Sequence, residues 1–246
     1  MSETSEKTGK RKKTKSFLYS DLSGGPKEAF RRLRSNLVCS FDDERCHIVG
    51  LTSAMASEGK SLISINLASS LAEIGKKVVL LDGDVYRPSI HKTLNLSSEL
   101  GIAELVNSGN SVSVAVHKYT CSESFGFDFI ATGDVPANPS EVLNSQNMLR
   151  LLNRLREVYD YVIIDMPPIG SVSDVASFSR LTDGMLVVIR EDHTPKALLK
   201  ECVDQLRFAK TNILAFVMNG SMTGGASGYS YSYGKSYGKS YYGYYY

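Results

Sequence analysis

No Cys-x-x-Cys pair, no apolar run near the ~20 residues that span a bilayer, no leader peptide and no internal repeat occur in this chain. Each absence removes a class of protein. The four cysteines, Cys39, Cys46, Cys121 and Cys202, lack metal-ligand spacing, so they read as scattered thiols of a reducing compartment and not as a cluster carrier's ligands. Without a span or leader, the chain is expected to be soluble and intracellular, reaching a membrane only if something recruits it. An excess of one charge is missing too: 28 basic residues stand against 26 acidic, and nucleic-acid binding by the whole chain is not expected.

What charge there is lies unevenly. Lys7, Lys10, Arg11, Lys12, Lys13 and Lys15 crowd the first residues, and Arg31, Arg32 and Arg34 follow. Residues 1–24 are expected to form a flexible basic arm, either solvated or laid against an anionic membrane face. The other end has no aliphatic residue to anchor a core. Its last eighteen residues hold nine tyrosines: Tyr229, Tyr231, Tyr233, Tyr237, Tyr241, Tyr242, Tyr244, Tyr245 and Tyr246. Only Ser, Gly, Lys235 and Lys239 separate them, so residues 221–246 are expected to be a disordered tail. On composition alone such a tail is a sticky low-complexity segment. It becomes a set of phosphoacceptors if the rest of the chain can transfer a phosphate.

Between these ends, residues 25–220 alternate short apolar runs with helical patterns. A first helix starts at Gly24-Gly25-Pro26 and runs to about Cys39, with Pro26 suited to the first turn. Strands are expected at His47–Thr52, Lys77–Asp82, Phe127–Ala131, Tyr159–Asp165, Gly184–Arg190 and Ile213–Asn219. Further helices are expected at Lys60–Ile74, Ile102–Asn107, Ser140–Val158, Asp174–Leu181 and Pro195–Ala209. Runs such as Val78-Val79-Leu80-Leu81 and Val162-Ile163-Ile164 fit strands buried on both faces. The fold expected is α/β: one domain of P-loop NTPase type, with a mostly parallel sheet and helices on both faces.

The strongest chemical signal is Ala54-Met55-Ala56-Ser57-Glu58-Gly59-Lys60-Ser61, which follows a strand and opens a helix. Loop amides and the positive helix end would face the phosphates of ATP, with Ala54, Ser57, Glu58 and Gly59 in the loop. Lys60 can reach the β- and γ-phosphates, and the Ser61 hydroxyl can ligate Mg²⁺. Ala54 stands where the usual pattern has its first glycine. Asp82 and Asp84 end one apolar strand and Asp165 another, so carboxylates should gather at the sheet edge where ligands bind. For each Asp alone a cap or turn would suffice; together with Lys60 and Ser61 they describe a Mg-nucleotide site.

These residues carry a resemblance. The Ser61-bearing loop, Leu80-Leu81-Asp82-Gly83-Asp84 and Ile163-Ile164-Asp165-Met166-Pro167-Pro168 resemble the Walker A, A′ and B elements of the bacterial tyrosine kinases of capsule and exopolysaccharide synthesis. The likeness spans roughly residues 25–220, and the tyrosine cluster is a further family trait. Glu28-x-x-Arg31-x-x-Arg34 looks like the family's subunit-contact motif; its spacing sets one acid and two bases along a helix face. The resemblance implies ATP as donor, with Mg²⁺ held by Ser61, Asp82, Asp84 and Asp165. Lys60, Asp82 and Asp84 are the implied catalytic residues, with Asp82 favoured as the base that takes the phenol proton. It also implies a homo-oligomeric ring, of eight subunits in the family, and a separate transmembrane adaptor that activates the kinase and recruits it to the inner membrane face. Tyr86 departs from the family, where a base is usual. Asn219 is assigned to the adenine, as in related ATPases.

Two other readings compete. Partition or division-site ATPases usually carry an extra lysine early in the phosphate loop, but none lies between Thr52 and Lys60. A nucleotide-binding scaffold without kinase activity would need a degenerate site, which the intact Lys60, Ser61, Asp82, Asp84 and Asp165 argue against.

Overall fold

The computed structural model describes residues 17–41, 44–108, 112–135, 138–170, 175 and 178–220. The basic residues Lys7 to Lys15 and the nine tail tyrosines lie outside the described residues. Helix α1 covers Gly24–Cys39, and strand β1, His47–Ser53, leads into α2, Lys60–Glu73. Then come β2 (Val78–Asp82), α3 (Ile90–Leu94), α4 (Ile102–Ser108), β3 (Val116–Ser122) and β4 (Phe125–Ile130). The order continues with α5 (Pro139–Leu143), α6 (Gln146–Arg156), β5 (Tyr161–Asp165), β6 (Gly184–Arg190), α7 (Lys196–Phe208) and β7 (Ile213–Asn219).

The seven strands form one sheet in the order β3-β4-β2-β5-β1-β6-β7, parallel except for the β3/β4 hairpin. Every residue of β1, β2 and β5 is buried, as continuous aliphatic runs covered on both faces require. One core layer packs α6 and α7 residues such as Leu151, Leu155 and Leu206 under the sheet. The other packs Ile63, Leu67 and Leu71 of α2 against Leu80 and Phe129. α2 is buried nearly all round because α1 lies over it.

Three expectations change. β3 was not foreseen: it is a half-exposed edge strand whose Lys118 and Thr120 break the apolar signal. α3 was missed because five residues are too few for a helical period. The helix expected over Ser140–Val158 is two, divided at Asn144-Ser145, where the Ser145 hydroxyl caps α6 by accepting the Met148 amide at 3.0 Å. Of the helix expected over Asp174–Leu181, the described part includes the 3₁₀ turn Ser179–Leu181.

Residues 17–23, expected in the flexible arm, pack onto the body instead. Tyr19 is 0 % exposed, and its hydroxyl donates to Glu73 Oε2 at 2.6 Å. The reason is a carboxylate at the end of α2 that gathers cations from α1. Arg34 Nη1 lies 3.0 Å from Glu73 Oε2, while Arg31 Nη2 and Lys27 Nζ lie 3.4 and 3.6 Å from Oε1. Lys27 also sits 4.8 Å over the Tyr19 ring. Burial pushes the Glu73 carboxyl up, but the hydrogen bonds from Tyr19, Arg31 and Arg34 outweigh it and hold the pKa down to about 2. A depressed carboxyl stabilises the fold above its ordinary pKa and loses that effect as pH falls through the folded value. Glu73→Ala is therefore expected to cost about 1–3 kcal/mol near pH 7 in urea unfolding. The deficit should shrink between about pH 4.5 and 2; a deficit independent of pH would show that the charge is not its source.

Candidate active site

Asp82 and Asp165 are register partners at the ends of β2 and β5, and the loop from β1 to α2 lies beside them. Sheet order thus delivers the carboxylates and the phosphate loop to one edge. The loop is tightly wound: Ser57 has φ +66° and Gly59 φ +86°. Glu58 folds back within it, Oε2 accepting the Met55 amide at 3.0 Å and Oε1 the Thr194 hydroxyl. From β6 and β7, Arg190 donates to the Ser57 carbonyl at 3.2 Å, and Asn219 Nδ2 to the Glu58 carbonyl at 2.9 Å. Asn219, assigned to the adenine from sequence, is thus turned toward the loop backbone. A Cβ on Gly59 would come within 2.0 Å of Asn219 Nδ2, at a φ that L side chains rarely adopt. Gly59→Ala should therefore weaken nucleotide binding at least about tenfold by calorimetry, as a displaced loop loses its amide contacts. Unchanged affinity would mean that the loop tolerates the displacement.

Lys60 is 6 % exposed, its ammonium 3.0 Å from Asp165 Oδ1 and 3.5 Å from Asp84 Oδ2. Burial alone would lower its pKa; the charges of Asp165 and Asp84 outweigh it and raise the value. Ser61 Oγ donates to Asp165 Oδ2 at 2.6 Å, and Ser64 Oγ, one turn on, to Oδ1 at 3.1 Å. Asp84 Oδ1 accepts the Arg87 amide at 3.1 Å. Asp82 lies deeper: Oδ2 accepts the Ser89 and Ile90 amides, each at 3.1 Å, while Oδ1 is buried without a partner. Burial, then the charge of Asp165, raises its carboxyl to about 7.

Three carboxylates around one ammonium leave an excess of negative charge, and one of their buried oxygens, Asp82 Oδ1, has no hydrogen-bond partner. That donor set fits a hard divalent cation such as Mg²⁺. Among the described residues no three acidic, His or Cys side chains already stand in ligand geometry. Ser61, Asp82, Asp84 and Asp165 are the residues that would hold the cation.

A cavity of about 700 Å³ opens over this cluster, lined among others by Ser57, Gly59, Lys60, Ser61, Asp84 and Tyr86. Its size suits a nucleotide. Ala54 and Asn219, expected to bind ATP, stand outside its lining. A second cavity of about 720 Å³ lies between β3 and α6, but Lys118 and Tyr159 there both bond Asp128, at 2.9 and 2.7 Å, and no phosphate loop reaches it. Glu28, Arg31 and Arg34 lie apart on α1, with Arg31 and Arg34 turned to Glu73. Sequence reasoning missed Ser64, Ser89, Arg190 and Thr194. Only Ser64 had a signal, its place one helical turn beyond Lys60.

Compared with known proteins, residues 45–241 match the ParA family, described as NUBPL iron-transfer P-loop NTPase. Tyrosine-protein kinase YwqD of Bacillus subtilis (strain 168) is 33% identical over 193 residues, 78% of this chain and 80% of that protein. Tyrosine-protein kinase etk of Escherichia coli (strain K12) is 32% identical over 193 residues, which is 78% of this chain but 26% of that one. The chain therefore spans about a quarter of the length of several curated relatives it matches. The solved kinase domain of Escherichia coli tyrosine kinase ETK aligns with a TM-score of 0.76 at 31% identity, over 93% of this chain and 88% of that one.

Proposed function

The chain belongs to the bacterial tyrosine kinases among the ParA-type P-loop NTPases, and from that premise we propose that it transfers the γ-phosphoryl group of ATP to tyrosine phenols, its own tail included. The observation that carries this is the bridge from Lys60 to Asp165 and Asp84 beneath a nucleotide-sized cavity, with no second lysine in the loop. The iron-transfer chemistry in the family's description does not suit the cysteines here. Cys46 and Cys202 are buried, and burial pushes both thiols up to about 11.

The loop amides hold the phosphates and Lys60 neutralises charge that develops on the β–γ bridge. When bound, Mg²⁺ would supply Lewis-acid neutralisation of phosphate charge. The incoming phenol oxygen forms the new P–O bond as the bond from the γ-phosphorus to the ADP oxygen breaks. Its proton passes to a carboxylate. Of the two candidates, Asp84 lines the cavity while Asp82 lies beneath it, so the geometry favours Asp84 over the sequence-based preference for Asp82.

The reading extends to assembly. Subunits acting on one another's tails would meet in a ring through Glu28, Arg31 and Arg34. A separate transmembrane adaptor would activate the ring at the inner membrane face and link it to capsule or exopolysaccharide export. No helix among the described residues is long and apolar enough to cross a membrane. Each tail phosphate adds roughly −1.5 to −2 charges, so modified tails repel and the ring disperses. The test is incubation with Mg-ATP, with and without candidate adaptor segments, and mass spectrometry of phosphotyrosine. Steady ATP hydrolysis with no tail phosphate under any activator would overturn the kinase reading.

A further inference from the structure

The cavity over Lys60 has two chemical halves. Its lining joins charged and polar groups, Lys60, Asp84 and Ser61, to an apolar set, Tyr86, Leu62, Pro167 and Pro168; the two prolines are buried and Tyr86 is exposed. The halves can be oriented. Asn219, Arg190 and Thr194 clasp the phosphate loop from the β6–β7 side, whereas the Lys60 ammonium reaches toward Asp84 and Asp165 on the β2–β5 side. A phosphate chain laid from the loop amides along Lys60 therefore ends at Asp84. An in-line acceptor must arrive from beyond that end, and Tyr86, two residues after Asp84 in the chain, lines the same cavity.

Tyr86 is also held for such a role. The preceding Val85 is fully buried, and the following Arg87 amide bonds both the side chain and the carbonyl of Asp84, at 3.1 and 3.2 Å. The turn that fixes Asp84 thus fixes the backbone on either side of Tyr86, yet the residue stays 41 % exposed. A large aromatic lining a charged cavity offers a face to another ring.

We propose that Tyr86, backed by Leu62, Pro167 and Pro168, forms a subsite for the ring of the acceptor tyrosine and sets which phenols enter. This rests on the kinase reading. The tail suits it, since Tyr229, Tyr231 and Tyr233 are spaced by serine and flanked by glycine, small enough to let each ring enter.

The test uses the full chain with Mg-ATP and a synthetic peptide copying residues 228–234. Tyr86→Ala should raise the KM for this peptide by about three- to tenfold, the scale of a lost ring pair, while the KM for ATP stays within about twofold. Tyr86→Phe should restore the peptide KM, because the ring and not the hydroxyl makes the contact. An unchanged peptide KM in Tyr86→Ala would sink the proposal. So would an equal rise in the KM for ATP, which would put the ring on the nucleotide, or failure of the Phe variant to rescue. Phosphate on Tyr86 itself in the parent would make it an acceptor and not a subsite. If the parent hydrolyses ATP but phosphorylates neither peptide nor tail, the kinase reading fails and takes this proposal with it. That outcome shows before any variant is made.

Discussion

Lys60→Met is expected to abolish phosphotyrosine formation, by about 10²–10³-fold or more, while the variant's tail still accepts phosphate from an active copy. The ammonium sits 3.0 Å from Asp165 and 3.5 Å from Asp84, almost wholly buried, and no other lysine lies in the loop. In such a dry site one fixed charge acts on the developing negative charge with little solvent screening. Methionine fills much of the same volume without the charge, so the loss should fall on catalysis more than on packing. The decisive assay mixes Lys60→Met with an active copy truncated after residue 220, so that phosphate can appear only on the variant's tail. No phosphate there would mean that transfer does not run between subunits. Residual autophosphorylation of Lys60→Met alone would mean that the phosphoryl group is held elsewhere.

Much of this site could be read from sequence because its parts are local. Asp82, Asp84 and Asp165 each end an apolar run, and Lys60 and Ser61 open a helix straight after a strand. Strands buried on both faces, such as Val78–Asp82 and Tyr161–Asp165, announce themselves by unbroken aliphatic content. The residues that escaped are those whose meaning is tertiary. Glu73 looks like any acid at a helix end, yet it is bonded by Arg34 and Tyr19, 39 and 54 positions away. Glu58 looks like a solvated loop acid, and its partner Thr194 is 136 positions away. Arg31 and Arg34 share a helix face by their spacing, but that spacing does not reveal that Glu73 lies against them. Periodicity shows which face two residues share, not which neighbouring element that face meets. β3 failed for another reason: an edge strand needs only half-burial, so its pattern is diluted by Lys118 and Thr120.

Asp165→Asn should separate activity from stability. Transfer should fall by about 10²–10³-fold, since the carboxylate that holds Lys60, Ser61 and Ser64, and would hold the cation, is gone. Without metal, the folded protein should lose little. Asparagine keeps one oxygen to accept from Ser64, its amide can donate to the Ser61 hydroxyl, and Lys60 keeps Asp84. Against the lost ion pair stands relief of Asp82, whose carboxyl is raised to about 7 by burial and then by the Asp165 charge. The sign follows from linkage: a carboxyl raised on folding binds its proton more tightly in the native state. Metal-free stability from this group therefore declines as pH rises from about 4 to about 7. In chelator, the parent's thermal midpoint should fall across that window, and Asp165→Asn should fall less. At pH 8 the variant should match or exceed the parent, with differences of about 2–4 °C per kcal/mol for a chain of this size. Added Mg²⁺ should raise the parent's midpoint more than the variant's. A variant several degrees less stable than the parent at pH 8 without metal would mean that Asp165 is a structural anchor first. Matching midpoints with collapsed transfer would mean that the acid cluster is kept for the chemistry, at the expense of the metal-free fold.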